Sequence, residues 1–250
     1  SNPAPELLDC GEMADKTKIV PPKTVTISTL LDMKRKGVKI AMLTAYDYPT
    51  ARLAEEAGVD VILVGDSVGM TKLGYESTLP VTIDEMVHHT KAVKRGLSRA
   101  LLVADMPYLS YEIDLKEAVR NAGRLLKEGG AHAVKVEGGM EVASTIKEFI
   151  KINVPVFGHL GLTPQAVNRL GGYKVQGRSP EAAEKILTEA RILEGAGACA
   201  VVLECVPADL AKEITKRLQI PTIGIGAGPH CDGQVLVSDD MLGLSQAGPT

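Results

Sequence analysis

Four short apolar runs in this chain each end in a carboxylate. They are VILVGD at 61–66, LLVAD at 101–105, AVKVE at 133–137 and VVLE at 201–204. Each run is continuously apolar and rich in β-branched residues, which is typical of a strand buried on both faces. A charge inside such a strand would be costly, so we expect each carboxylate where its strand emerges. If the strands are parallel, all four acids meet at one end of the sheet.

Carboxylates that meet in this way need a compensating charge. They raise one another's pKa unless a cation joins them. A divalent metal with oxygen ligands would remove the repulsion and leave one carboxylate for acid–base chemistry. The histidines of the sequence lack zinc-like spacing, and an all-oxygen ligand set suits Mg²⁺ or Mn²⁺. The pattern therefore indicates a divalent-metal site with an acid–base group beside it.

Most of the candidate residues also have a structural explanation. Asp66 and Ser67 could cap a turn or a helix. Lys135 and Glu137 lie two residues apart in one strand and point to the same side, where a plain ion pair is the alternative to a functional site. His159 ends the run VFGH. A single histidine at a strand end is often structural, so we place it around the site.

Glu204 is the carboxylate left for proton transfer. Its apolar neighbours in VVLECVP should raise its pKa by desolvation, which suits a general base. Asp105 precedes Met106 and Pro107, and the proline directs the chain outward there. The segment GIGAG at 224–228 resembles a phosphate-binding loop, although a tight turn at a crowded barrel mouth would require the same glycines.

The remaining sequence predicts a scaffold that can bring these strand ends together. Helix-start signals stand at Thr82 with Glu85 and at Ser179 before Pro180. Eight strands that alternate with helices in 250 residues favour a closed (β/α)8 TIM barrel over an open doubly wound sheet. The long connections 68–81 and 160–178 are candidate lids. Strands are predicted at 40–46, 61–66, 101–105, 133–137, 154–159, 201–204, 222–225 and 234–237.

Composition argues against several other classes of protein. With 45% apolar residues, 24% charged residues and a net charge of −3, nothing favours a nucleic acid or a membrane as partner. No apolar run approaches the length of a membrane span, and no secretory signal pattern is present. The four cysteines form no Cys-x-x-Cys pair, which indicates reduced thiols and a reducing compartment. We expect a flexible arm at 1–23 and a single catalytic barrel domain at 24–250.

Six motifs in order give the chain a specific resemblance. VGDSVGM, TLPVT, GHLGLTPQ, GGYKVQGR, LECVP and GIGAG, spread between Thr24 and Leu244, closely resemble the ketopantoate hydroxymethyltransferase family. The resemblance implies a (β/α)8 barrel of the phosphoenolpyruvate/pyruvate type. It also implies transfer of a hydroxymethyl group from 5,10-methylenetetrahydrofolate to 3-methyl-2-oxobutanoate (α-ketoisovalerate). The products would be 2-dehydropantoate (ketopantoate) and tetrahydrofolate, on the route to pantothenate and coenzyme A.

The resemblance further implies a function for each candidate residue. The cofactor would be Mg²⁺ or another divalent cation such as Mn²⁺, Zn²⁺ or Co²⁺, and it would stabilise an enolate of the keto acid. Glu204 would be the general base that forms this enolate. The metal would be held by Asp66 and Asp105, with Glu137 coordinating directly or through water. The keto acid would be bound by Asp66, Ser67, Asp105, Lys135 and His159.

The family also suggests an assembly and a location. Its members commonly form a homodecamer of two five-fold rings, so we expect a homo-oligomer whose partners are small molecules. We expect a cytoplasmic protein, or a mitochondrial-matrix one if the source is eukaryotic. Family members continue into a further helical segment after the eighth strand, so the last barrel helix is expected to be missing from this sequence.

Two other functions stay open at this stage. A different metal-dependent barrel enzyme that forms a pyruvate-like enolate, such as a carbon–carbon lyase or a relative of phosphoenolpyruvate mutase, would share the metal and ignore folate. A non-catalytic barrel that binds small ligands or serves as a scaffold would need no metal-dependent proton exchange. Lys135 beside Glu137 in one strand argues against this last alternative.

Overall fold

Eight parallel strands close into a barrel in the order of the sequence. A computed structural model describes residues 24–166, 168 and 174–244 of the chain. The predicted arm at 1–23 therefore lies outside the described residues. The strands are β1 (Ile40–Thr44), β2 (Val61–Val64), β3 (Leu101–Asp105), β4 (Ala133–Glu137), β5 (Val156–Gly161), β6 (Ala200–Glu204), β7 (Thr222–Ile225) and β8 (Gly233–Leu236).

Helices surround the barrel, and their starts follow local capping chemistry. The Thr82 side chain accepts from the Glu85 N–H while the Glu85 side chain accepts from the Thr82 N–H, which completes the predicted capping box. Ser179 caps the helix that begins at Pro180. The helices are α1 (Ile27–Lys36), α2 (Tyr48–Glu56), α3 (Val68–Thr71), α4 (Ile83–Arg95), α5 (Leu115–Arg124), α6 (Ala143–Lys151), α7 (Pro180–Ala196), α8 (Ala208–Arg217) and α9 (Ser238–Met241). Leu125–Gly129 forms a π-helical turn, and Met140–Val142 and Pro164–Ala166 form 3₁₀ turns.

The apolar residues form two separate layers. One cluster fills the barrel interior and includes Val61, Leu63 and Ala133, while a larger one between strands and helices includes Ile62 and Val64. This division follows from the two-residue period of a strand. The same period carries Lys135 and Glu137 along the interior side of β4 from Ala133. The fold thus points both charged side chains into the barrel mouth.

The predicted barrel is confirmed, and only strand ends differ. β3, β4 and β7 have the predicted bounds. β2 ends at Val64 instead of Asp66 because the Val68 N–H donates to the Gly65 carbonyl and the chain turns there. β5 covers 156–161 instead of 154–159. α9 follows β8 as a single turn, and residues 245–250 lie outside the described part, so the expected lack of a last helix stays a prediction. No helix among the described residues is long and apolar enough to cross a membrane.

Candidate active site

The register of the barrel brings the predicted acids together at the carboxyl ends of the strands. Asp105 on β3 pairs with Lys135 on β4, and Glu137 on β4 pairs with His159 on β5. Neighbouring strands lie about 4.8 Å apart, so side chains on the same face at these positions can touch. All four residues are buried. The predicted meeting of Asp105, Lys135 and Glu137 at one end of the barrel is thus seen in the structure, and His159, which was expected only near the site, lies beside them.

Asp66 joins the cluster through its backbone and its side chain. The Asp66 N–H donates to Asp105 Oδ2 at 3.0 Å, and Asp66 Oδ2 accepts from Gln165 Nε2 at 2.8 Å. Gly65 precedes Asp66 at a crowded position. A Cβ atom at that position would lie 2.8 Å from Ser67 Oγ and 3.4 Å from Asp105 Oδ2. The glycine of the VGDS motif thus leaves room for the Ser67 hydroxyl group, while Asp105 would be at ordinary contact distance.

Lys135 is the cation at the centre of the cluster. Its Nζ lies 3.2 Å from Asp105 Oδ1 and 3.6 Å from Glu137 Oε1. Burial lowers the pKa of Lys135, but the charges of Asp105 and Glu137 outweigh it and the net pKa is raised. Acids of two different strands therefore keep the lysine protonated. A simple ion pair between Lys135 and Glu137, the structural alternative, does not describe this arrangement.

His159 connects Glu204 to the rest of the cluster. Its Nδ1 lies 3.2 Å from Glu137 Oε1 and 3.1 Å from Lys135 Nζ, and its Nε2 lies 3.2 Å from Glu204 Oε2. The Nε2–Glu204 contact is an ion-pair distance at an angle unsuited to a hydrogen bond. Burial and the charge of Lys135 lower the pKa of His159, whereas Glu137 and Glu204 raise it to a net value of about 9. His159 was expected near the site and lies within it.

Glu204 stands at the open edge of the cluster. It ends β6, and 19% of its side-chain surface is exposed. This is more exposure than its apolar neighbours in the sequence predicted. Gly161 of β5 packs against its backbone, since a Cβ there would lie 2.1 Å from the Glu204 carbonyl oxygen. Because the carboxylate of Glu204 contacts His159 and is partly exposed, it can also reach a molecule in the barrel mouth.

Ser67 and the glycine-rich segment sit at the rim. Ser67 Oγ lies 2.8 Å from the Tyr46 hydroxyl. Ser67 precedes α3 without a capping hydrogen bond from its side chain, so the capping explanation does not account for it. Gly226 and Gly228 both have positive φ, as a tight turn requires. Phosphate binding at 224–228 stays a prediction.

Two residues of this site were missed by the sequence analysis. Gln165 donates from Nε2 to Asp66 Oδ2 and to the Met106 carbonyl, and its backbone N–H donates to Glu137 Oε2 at 3.0 Å. The Tyr111 hydroxyl lies 2.8 Å from Gln165 Oε1 and accepts from the Glu137 N–H at 3.1 Å. Gln165 does end the motif GHLGLTPQ, which is the one signal that could have found it.

The carboxylates of Asp66 and Asp105 suit a divalent cation. Burial raises the pKa of Asp66 well above its usual range, and the charges of Asp105 and Glu137 raise it further. Burial also raises the pKa of Asp105 against the opposing charge of Lys135. Asp105 Oδ1 accepts no hydrogen bond from the described residues. A hard cation between these oxygens would relieve the repulsion.

The full set of three metal ligands stays a prediction. Within residues 24–166, 168 and 174–244, no group of three or more His, Cys, Asp or Glu side chains is arranged to hold a metal ion. Glu137 is instead engaged by His159 and by the Gln165 N–H. Burial raises the pKa of Glu137, but the charges of His159 and Lys135 outweigh it and lower the net pKa. Glu137 is therefore ionised and available to a cation only if these contacts rearrange or a water intervenes.

Two proteins of similar sequence carry the same name. A 3-methyl-2-oxobutanoate hydroxymethyltransferase from Thermoanaerobacter sp. (strain X514) is 59% identical over 222 residues, which cover 89% of this chain and 81% of that protein. The enzyme of the same name from Syntrophus aciditrophicus (strain SB) is 60% identical over 222 residues, covering 89% of this chain and 82% of that protein.

Solved structures of similar shape show the fold alone. The phosphoenolpyruvate phosphomutase from Streptomyces platensis subsp. rosaceus has a TM-score of 0.66 at 15% identity, and the match covers 87% of this chain and 82% of that one. A 2,3-dimethylmalate lyase of the PEP mutase/isocitrate lyase superfamily has a TM-score of 0.62 at 15% identity, covering 89% and 81%. These likenesses confirm the predicted (β/α)8 barrel fold.

A family model decides between the enzymes that share this barrel. The model described as ketopantoate hydroxymethyltransferase matches residues 24–250. This range contains every strand of the barrel and every residue of the acid cluster. The chain is an enzyme, a hydroxymethyl transferase, and belongs to the ketopantoate hydroxymethyltransferase family.

Proposed function

We propose that this enzyme transfers a hydroxymethyl group from 5,10-methylenetetrahydrofolate to 3-methyl-2-oxobutanoate. The products would be 2-dehydropantoate, a precursor of pantothenate, and tetrahydrofolate. The names of the relatives support the acceptor. The observation that carries the proposal is the contact of His159 with Glu204 on one side and with Lys135 and Glu137 on the other. It joins a partly exposed base to a buried cation.

Glu204 removes a proton from C3 of the keto acid. Its carboxylate is partly exposed at the mouth and lies 3.2 Å from His159 Nε2. The electrons of the broken C–H bond pass into the carbonyl group, where negative charge develops on oxygen. The ammonium group of Lys135 supplies positive charge in a water-poor environment, where such stabilisation is strong. Carbon C3 thereby becomes a nucleophile.

The one-carbon unit then moves to C3. A carbon–carbon bond forms, the bonds from the transferred carbon to the two folate nitrogens break, and those nitrogens take up protons. Water supplies the oxygen of the new hydroxyl group. A divalent cation held by Asp66 and Asp105, with Glu137 directly or through water, would supply Lewis-acid stabilisation of the oxyanion. We propose Mg²⁺, with Mn²⁺, Zn²⁺ or Co²⁺ as alternatives.

Turnover with defined substrates tests the proposal. We expect 2-dehydropantoate to form only when 3-methyl-2-oxobutanoate, methylenetetrahydrofolate and Mg²⁺ are all present, and to disappear with EDTA. A lyase or mutase related to phosphoenolpyruvate mutase would instead act on its own acid without folate. Formation of 2-dehydropantoate at the same rate without methylenetetrahydrofolate would contradict the proposal. An absence of metal-dependent C3 proton exchange would favour a non-catalytic barrel.

Assembly and location belong to the same proposal. We propose a homo-oligomer, a decamer by resemblance to the family, in the cytoplasm or in the mitochondrial matrix of a eukaryotic source. Small molecules would be its ligands, without nucleic acid or membrane partners. Sedimentation velocity of the purified chain tests the assembly, and a monomer at micromolar concentration would contradict it.

A further inference from the structure

A cavity of about 340 Å³ opens beside the acid cluster, at the same end of the barrel. Four strand-to-helix connections build its walls, and its lining includes Glu137 and Gln165 of the active site. Small-molecule sites span about 300–1,000 Å³, so this volume is at the low end. It suits one ring system and is too small for a whole folate with its glutamate tail.

The lining combines aromatic rings with carboxylates. Tyr108 and Tyr111 contribute rings, and Leu79 and Val142 contribute apolar surface. Glu137 also lines the cavity, but both of its oxygens already have partners in the acid cluster. Glu112 is a further carboxylate in the lining; its Oε2 accepts from the Tyr111 N–H at 3.1 Å and keeps a second lone pair, and Oε1 its own, for donors of a ligand. A flat heteroaromatic ring with N–H groups on one edge matches this combination, since the ring can stack on tyrosine while its N–H groups donate to a carboxylate.

Hydrogen bonds hold the loop that carries the tyrosines in place, against the cost of a strained backbone at Leu109. Leu109 has a φ of 61°, a conformation that a leucine adopts only when its surroundings impose it. The Ser110 N–H donates to the Pro107 carbonyl at 3.0 Å, and Asn121 Nδ2 donates to the Ser110 carbonyl at 2.8 Å. A platform that is fixed before its ligand arrives loses less entropy on binding.

The cavity and the base reach the acid cluster from different directions. The walls come from the connections after β2, β3, β4 and β5, whereas Glu204 ends β6. A keto acid between Asp105 and Lys135 would therefore have Glu204 on one side and the cavity on another. This leaves room for a second reactant beside the first.

We infer that this cavity binds the pteridine ring of the tetrahydrofolate donor, with Tyr108 as the stacking platform and Glu112 as the acceptor for ring N–H groups. The inference rests on the proposed function, because it assumes that the donor is a folate. The glutamate tail would extend from the cavity toward solvent. Tyr108 is suited to testing because 41% of its surface is exposed, so its loss should not unfold the barrel.

Binding and proton exchange together test this inference on the full chain with Mg²⁺. We expect Tyr108→Ala to raise the Kd for tetrahydrofolate, measured by calorimetry, roughly ten-fold, because a stacking contact is lost. Glu112→Gln should raise it by a smaller factor. Tyr48→Ala is the matched control, since Tyr48 is 47% exposed and outside the cavity lining. None of the three variants should change deuterium exchange at C3 of 3-methyl-2-oxobutanoate without folate.

The two proposals fail in different ways. An unchanged Kd in both Tyr108→Ala and Glu112→Gln, with normal exchange, would overturn the pteridine site and leave the proposed function intact. Loss of exchange in Tyr108→Ala would also overturn it, because Tyr108 would then support the acid cluster or the fold. If the unmodified enzyme exchanges no proton and binds no tetrahydrofolate, the proposed function itself is wrong.

Discussion

Charged side chains occur at both ends of the barrel, but they are paired in different ways. At the amino ends of the strands, Asp232 Oδ2 accepts from Lys34 Nζ at 2.7 Å and from the Thr222 N–H at 2.9 Å. Glu55 accepts from the backbone N–H groups of residues 98–100. Each of these carboxylates has its own donors. At this end of the molecule, charged side chains stabilise the packing of helices against the barrel.

At the carboxyl ends, several acids share two cations. Asp105, Glu137 and Glu204 have only Lys135 and His159 as charged partners within 4 Å among the described residues. Burial raises the pKa of Glu55 too, but its hydrogen bonds outweigh that effect and lower the net pKa. The pKa of Asp66 is raised instead. Glu55 at the amino end is thus stabilised by its own donors, whereas Asp66 in the active site is left short of positive charge.

The largest expected effect comes from the base at the functional end. Glu204→Gln keeps the shape of the side chain but cannot accept a proton from carbon. We expect deuterium exchange at C3 of 3-methyl-2-oxobutanoate, followed by NMR, to slow by roughly 10²–10⁴-fold. Binding of the keto acid should survive, since Glu204 is at the edge of the cluster. Exchange at the normal rate in this variant would show that Glu204 is not the general base.

The second prediction concerns the pH dependence of stability in the metal-free enzyme. The folded pKa of His159 is about 9, above the ordinary value of 6.5. A raised pKa stabilises the fold fully below about pH 6.5, and this stabilisation is lost as the pH rises through 9. It amounts to roughly 3 kcal/mol. Urea unfolding of the native protein and of His159→Gln in EDTA should therefore give free energies that differ more at pH 6 than at pH 9.5, and a constant difference would contradict this.

The strand residues of the site were accessible to sequence reasoning because two simple rules place them. The two-residue period puts Lys135 and Glu137 on one face, and a parallel register puts Asp105 and His159 beside them. Glu204 was also located at the right strand end. Its partial exposure was not predicted, because the last residue of a strand faces the barrel mouth whatever its sequence neighbours are.

The loop residues of the site could not be predicted in the same way. Gln165 reaches Asp66 across 99 positions of sequence, and Tyr111 reaches Glu137 across 26. Such contacts depend on the path of the connections after β3 and β5, for which no periodic rule exists. Residues 167 and 169–173 of the second connection lie outside the described part. The contacts of Gln165 and Tyr111 therefore become visible only in the structure.

The third prediction tests whether Gln165 prepares Asp66 for a cation. Gln165→Leu removes the amide that donates to Asp66 Oδ2 and leaves the shape of the site nearly unchanged. We expect the affinity for Mn²⁺, measured by electron paramagnetic resonance, to fall roughly 10- to 100-fold, as for other supports of metal ligands. Gln234→Leu is the control, because Gln234 donates to the Gly228 carbonyl away from the acids. Equal affinity in both variants would leave Gln165 with a packing function only.

The smallest effect on chemistry is expected at the stabilising end. Lys34→Met breaks the pair with Asp232 but leaves Asp232 bonded to the Thr222 N–H. We expect the free energy of unfolding to fall by roughly 1–2 kcal/mol, the range for a partly exposed hydrogen bond to a charged group. Deuterium exchange at C3 should stay within about two-fold, because the substitution is at the opposite end from Glu204, whereas Lys135→Met should nearly abolish it. A slower exchange in Lys34→Met at unchanged stability would mean that charge at the amino ends also tunes the active site, and the separation between the two ends would be wrong.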